Sequence, residues 1–124
     1  TGAARVALGT ELPALFSNDV KESSRLVAAS EAVYDPIFQM PLYKPYERFL
    51  NQENGSLSST GSSAYGGAIT AALFLQKFVK KDTSWMHLDI MGWNLSNLPG
   101  RPVGGEAMSL RGCFHYIKEF IKTY

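Results

Sequence analysis

Apolar positions along the chain change rhythm several times, and the changes divide it into elements. Leu26, Ala29 and Val33 recur at the spacing of one helix face, which predicts a helix over residues 19–33. Ser17 or Asn18 is placed to cap it, with Asp19 and Glu22 in the first turn, where the positive end of the dipole favours acids. Asp35-Pro36 ends it, because the residue before a proline avoids helical backbone. The best-marked helix covers residues 65–80: Ala68, Ala72, Leu75 and Val79 form a stripe that Ile69, Leu73 and Phe74 widen. So apolar a helix is expected to be buried on most sides, with Lys77, Lys80 and Lys81 at its negative end. Residues 85–91 alternate instead, with Met86, Leu88 and Ile90 on one face, and read as a strand. A last amphipathic helix carries Leu110, Phe114, Ile117 and Ile121.

The connecting segments are less regular. Residues 1–8 read as a short helix or strand end, broken at Gly9 and followed by an apolar run over 12–16. This opening segment has no lead-in, and the sequence starts on Thr1 without a methionine, so it reads as a portion of something longer. Prolines punctuate Met40-Pro41-Leu42-Tyr43-Lys44-Pro45, with room for a helical turn or two over 45–50. Residues 51–63 are rich in Ser, Asn and Gly and read as a long surface loop, and 95–104 as a second loop. With at most three strands among these helices, the elements look like the second half of an α/β sandwich lacking most of its sheet.

Composition narrows the function classes. The chain has 124 residues, 45% hydrophobic and 19% charged, which suits one folded domain and excludes a disordered tail. Twelve basic against eleven acidic residues leave a charge of +1 without a basic cluster, which argues against an electrostatic nucleic-acid partner. The longest apolar run, 68–75, is about half the roughly 20 residues of a spanning helix, so no membrane segment is expected. Cys113 stands alone, which excludes an internal disulfide and favours a reducing, cytoplasmic compartment.

Candidate chemistry is sparse. His87 and Asp89 share a strand face by period two and are able to reach one ion, but two ligands do not make a site; an Asp–His hydrogen bond is the plainer reading. Cys113 lies within an amphipathic helix with nothing to stabilise a thiolate, and reads as a packed thiol. The run Gly61-Ser62-Ser63-Ala64-Tyr65-Gly66-Gly67 opens a helix but lacks the Lys-Ser/Thr ending of a phosphate loop. Gly66 and Gly67 are better explained as letting the helix approach the sheet. Arg101, between Gly100 and Pro102, is suited to clamping a carboxylate or to a structural ion pair.

The order of the motifs says more than any one of them. Thr1-Gly2-Ala3, then Gly66-Gly67-Ala68-Ile69-Thr70-Ala71-Ala72-Leu73-Phe74-Leu75, then Trp85-Met86-His87-Leu88-Asp89-Ile90, then Gly100-Arg101-Pro102 together resemble the C-terminal part of the catalytic domain of the leucine aminopeptidase (cytosol aminopeptidase) family. Phe16-Ser17-Asn18 and Met40-Pro41-Leu42 fall between the first two at family-like distances, and Pro99–Ala107 resembles a bacterial branch.

The resemblance implies an α/β fold, part of a three-layer α/β/α sandwich with a central mixed sheet. It also implies a separate N-terminal domain and a homohexamer. The implied reaction releases N-terminal residues, often leucine, from peptide substrates by means of two divalent metal ions, Zn or Mn, that activate a bridging water. The family's metal ligands and its catalytic Lys and Arg lie upstream of the Thr-Gly-Ala motif. No catalytic and no metal residue is therefore assigned within 1–124, and this stretch alone is expected to be inactive without the remainder of its catalytic domain. By resemblance, Thr1, Gly2 and Ala3 match the turn after the central strand that borders the substrate. Met91 and Asn94 match the other wall of the pocket for the first side chain. Many relatives carry alanine where Met91 stands, which implies a shallower pocket here. The competing reading is a non-catalytic α/β interaction module that needs a partner chain, and a third is a metal binder using His87 and Asp89.

Overall fold

The central strand, β1 (Ala14–Ser17), has its three apolar residues, Ala14, Leu15 and Phe16, wholly removed from solvent. Its burial is explained by what surrounds it in the computed structural model, which describes residues 1–123. On one edge β1 pairs in parallel with the two-residue strand β2 (Phe38–Gln39), Ala14 opposite Phe38. On the other it pairs antiparallel with β3 (Met86–Asp89), Leu15 opposite Leu88 and Phe16 opposite His87. The order β2-β1-β3 is a mixed sheet.

Strand alternation then sends side chains into two helical layers. Ala14 and Phe16 join Ala4 of α1 (Gly2–Leu8) and Ala68 and Ala72 of α3 (Gly67–Gln76). Leu15 joins Leu26 of α2 (Val20–Ala32) and Ile37, with Cys113 and Tyr116 of α4 (Leu110–Lys122) packed against them. The fold is thus a three-layer α/β/α arrangement around a mixed sheet.

Local chemistry sets the element ends. Asp19, rather than Ser17 or Asn18, caps α2, its side chain accepting from the Glu22 N–H at 3.0 Å. Asn18 is instead used across the sheet: its Oδ1 accepts from Trp85 N at 2.8 Å and its Nδ2 donates to the Thr83 carbonyl at 2.9 Å. The helix expected over 65–80 is shorter at both ends. Gly66 adopts a left-handed backbone (φ 65) before α3, and after Gln76 the bonds tighten to the i→i−3 pattern, Lys77 N to Phe74 O and Phe78 N to Leu75 O. Within α3 only Leu75 is exposed, and Phe78, just beyond its end, faces solvent.

The close approach of Gly66 and Gly67 is to helices, not to the sheet. A Cβ on Gly66 would lie 3.1 Å from the Tyr46 ring, which belongs to a 3-10 helix over Lys44–Leu50, and one on Gly67 would lie 3.1 Å from Ala3 Cβ. The loop over 51–63 holds only one isolated bridge, Asn51 to Leu57. Beyond β3, β4 (Trp93–Asn94) and β5 (Gly104–Gly105) form a two-stranded ribbon that exceeds the three strands expected. Two-residue strands, one of them Gly-Gly, carry no period to read.

The seam between α2 and α4 is the tightest packing. A Cβ on Gly112 would come within 2.2 Å of Ser30 Oγ and 3.0 Å of Ser30 Cα, so only glycine fits. The buried Asp35 carboxylate reaches from the loop after α2 to accept from Ser109 N at 3.1 Å and Gly112 N at 3.0 Å, satisfying donors at the start of α4. Tyr116 donates to Glu22, which Arg25 also contacts at 3.1 Å. That bond from Tyr116, ahead of Arg25, holds the Glu22 carboxyl below its usual value. Burial and the Glu22 charge push the phenol of Tyr116 up to about 12.

Candidate functional site

Two of the residues singled out from sequence, Thr1 and Met91, meet at the C-terminal end of β3. Thr1 caps α1, its Oγ1 accepting from Ala4 N at 3.0 Å, and its nitrogen donates to the carboxylate of Asp89, the last residue of β3. Two residues further on, the Met91 sulfur accepts from Arg5 Nη1 at 3.8 Å. Thr1, Arg5, Asp89 and Met91 therefore line one small void at the start of α1. On the other side of Thr1 an open groove of about 380 Å³ runs past Ser59, Phe74, His87 and Ile90. Two larger open grooves, of about 590 and 540 Å³, lie by Ser17 and Val20, away from these residues.

Thr1, Gly2 and Ala3 form the cap and first turn of α1 and are exposed. Met91 stands across from them, half-buried. Asn94 stands apart: it is buried in the ribbon, where its Nδ2 donates to the Pro102 carbonyl at 3.2 Å and to Glu106 Oε2 at 2.9 Å. The structure thus brings Thr1 and Met91 to one void, leaves Gly2 and Ala3 exposed in the turn beside it, and holds Asn94 in the adjoining ribbon.

His87 and Asp89 do not hydrogen-bond one another. His87 lies between two rings, its centroid 6.0 Å from both Phe16 and Trp85, stacked on each. Burial there, only partly offset by the charge of Asp89, holds the imidazole pKa below its ordinary value. Asp89 Oδ2 is buried with no hydrogen-bond partner among the described residues. No group of three or more His, Cys, Asp and Glu side chains converges among the described residues. Among the described residues Arg101 makes neither a carboxylate clamp nor an ion pair. Its Nη2 donates to the Tyr34 carbonyl at 3.3 Å, and Arg111 Nη2 reaches the same carbonyl at 3.0 Å. Cys113 is packed and half-buried, and burial pushes its thiol pKa up, as befits a packed thiol rather than a nucleophile. No helix is long and apolar enough to cross a membrane among the described residues.

Sequence reasoning named Asp89 only beside His87 and missed its burial and its nearness to Thr1 and Met91. Alternation sets Met86, Leu88 and Ile90 on the apolar face and Asp89 on the other, so no local signal marked that carboxylate as buried.

Comparison with known proteins agrees with the geometry. Residues 1–113 match the catalytic-domain model of the cytosol aminopeptidase family. The cytosol aminopeptidase of Coxiella burnetii superposes with a TM-score of 0.89 at 50% identity, covering 96% of this chain and 26% of that one. The bottromycin maturation enzyme BotP in complex with Mn superposes with a TM-score of 0.90 at 32% identity, covering 97% of this chain and 27% of that one. A Desulfovibrio desulfuricans protein described as "Probable cytosol aminopeptidase" is 41% identical over 113 residues, 90% of this chain and 22% of its own length. The chain spans about a quarter of the length of the curated relatives it matches. By motif order, by fold and by sequence identity, the chain belongs to the cytosol aminopeptidase family.

Proposed function

We propose that these residues supply the substrate-cradling flank of a metal-dependent aminopeptidase that releases leucine-like N-terminal residues from peptides. The observation that supports this most is the meeting of Thr1 and Met91 at the end of β3, beside an open groove, in a chain of this family. In this reading, the Thr1-Gly2-Ala3 turn and Met91 bound the pocket for the first side chain. Met91 fills depth that a smaller residue would leave open. Asn94 reaches that wall only through the ribbon. The two divalent ions, Zn or Mn, belong to the remainder of the catalytic domain, and the side chains here bind and orient rather than activate water. The protein acts in the cytoplasm as a homohexamer, and this stretch alone is inactive.

The test is release of leucine from a leucyl anilide by the full-length protein with Mn²⁺ or Zn²⁺ added. Turnover that chelator abolishes is expected; no turnover with either metal overturns the reading.

One observation favours a second reading, an interaction module completed by a partner chain. β3 has a strand partner on one edge only, and the α4 residues Phe114, Ile117 and Ile121 stand exposed. Size-exclusion separates the two: a well-behaved 13.6 kDa monomer with cooperative unfolding defeats the module.

A further inference from the structure

We propose that Arg101 and Arg111 together form a binding site for an oxyanion, a carboxylate or a phosphate, just beyond the end of α2. The two side chains come from different elements, the loop after β4 and the first turn of α4, yet both guanidiniums converge on one neutral atom. Arg101 Nη2 donates to the Tyr34 carbonyl at 3.3 Å, and Arg111 Nη2 at 3.0 Å. A carbonyl oxygen has two lone pairs and accepts both, but it carries no charge to set against two cations. Each guanidinium has five N–H groups, and this contact takes one of them. None of the ion pairs among the described residues includes either arginine.

The neighbouring acids are engaged elsewhere or point away. Asp35, next to Tyr34, accepts from Ser109 N and Gly112 N, and Glu106 accepts from Asn94. Glu31, one turn before Tyr34, is exposed and pairs with neither arginine among the described residues. The negative end of α2 offsets only part of the charge, about half an elementary unit. Backbone bonds meanwhile hold the pair in place. Arg101 N and O exchange bonds with Leu98 at 2.9 and 2.8 Å, and Arg111 sits in the turn of α4 that Asp35 ties down. Tyr34 is anchored through its own N–H, which donates to the Glu31 carbonyl at 3.1 Å. Two anchored guanidiniums without a counter-ion present the forked donors that an oxyanion accepts bidentately. Arg48 supplies the contrast: its Nη1 also donates to a carbonyl, that of Pro45 at 2.9 Å, but it does so alone, over the Phe49 ring. The inference stands apart from the aminopeptidase reading, which uses neither arginine.

The experiment maps phenylglyoxal adducts, which form on free guanidiniums, by peptide mass spectrometry of the full-length protein. Three anions are compared at equal ionic strength: chloride, inorganic phosphate and N-acetylglycine, with N-acetylglycine amide as the uncharged control. At about 20 mM phosphate or N-acetylglycine, modification of Arg101 and Arg111 is expected to slow about fivefold relative to chloride, as a site of millimolar affinity requires. Arg48 should change by less than about twofold. Protection by phosphate, by the carboxylate or by both supports the site and tells which oxyanion it takes. Arg101→Gln should abolish the protection of Arg111, and Arg111→Gln that of Arg101. Four results overturn the inference: no slowing with either oxyanion, equal slowing at Arg48 or with the amide, protection of one arginine that survives loss of the other, or arginines already unreactive in chloride.

Discussion

β1 and β3 are both four-residue strands, paired along their whole length, yet they live in different surroundings. Ala14, Leu15 and Phe16 of β1 are wholly buried, while Met86, His87 and Leu88 of β3 remain half-exposed. Sequence separates them in part, since β3 alternates Met86 and Leu88 with His87 and Asp89 where β1 has three apolar residues in a row. Position separates them further: β1 has a strand on each edge and helices on each face, whereas β3, among the described residues, has a strand on one edge only. Apolar side chains are also left uncovered elsewhere, Leu75 near the end of α3, Phe78 just beyond it, and Phe114, Ile117 and Ile121 on α4. One flank of the molecule is a closed core, and the other is a surface with the composition of one.

The comparison breaks most readily at its strongest point. Phe16→Ala is expected to cost about 3–5 kcal/mol in urea denaturation, against about 1–2 kcal/mol for the half-buried Leu88→Ala. Equal costs would mean that β3 is as fully packed as β1. Gly112→Ala tests the closed side from the helices. The added methyl has to displace Ser30, and a loss of about 1–3 kcal/mol is expected despite the better helix propensity of alanine.

Two pH effects follow, smaller and of different origin. The His87 imidazole is held below its ordinary value of 6.5, so the unfolded chain binds the proton first and stability falls as pH drops below 6.5. In His87→Phe, a urea-midpoint titration should lose that slope. Asp19 and Glu22 are both held below their ordinary values of 3.8 and 4.5, Asp19 chiefly by the Glu22 N–H and Glu22 chiefly by Tyr116. Their stabilisation is present above those values and disappears on further acidification; Tyr116→Phe should flatten the part that Glu22 contributes. The smallest effect is expected on the open side. Ile117→Ser should change the stability of this stretch alone by no more than about 0.5 kcal/mol, and should cost more once that face is covered.

Much of the arrangement was legible. Helical period found α2 and α4, and alternation found β3 with Met86 and Leu88 on the face that packs against Leu15 and Leu26. What escaped was long-range or backbone-driven. Asp19 caps α2 because Asn18 is occupied by Trp85 and Thr83, a partnership 65 and 67 residues away that no local window contains. The end of α3 is set by a tightening of its last turn, which the apolar stripe through Val79 hides. Thr1 and Met91 are pocket walls through resemblance alone; their nearness, with Asp89 beside both, emerges only from the fold. The engagement of the Asn94 amide by Glu106 and Pro102 was likewise outside any local window.

The half-buried placement of Cys113 offers a practical handle. Its thiol is pushed above the ordinary value of 9.0, mainly by burial and further by the charge of Asp35, so near neutrality it reacts sluggishly while α2 and α4 stay together. Alkylation at that sulfur then becomes a clock for the parting of the two helices, ticking faster whenever Gly112, Asp35 or Tyr116 is altered.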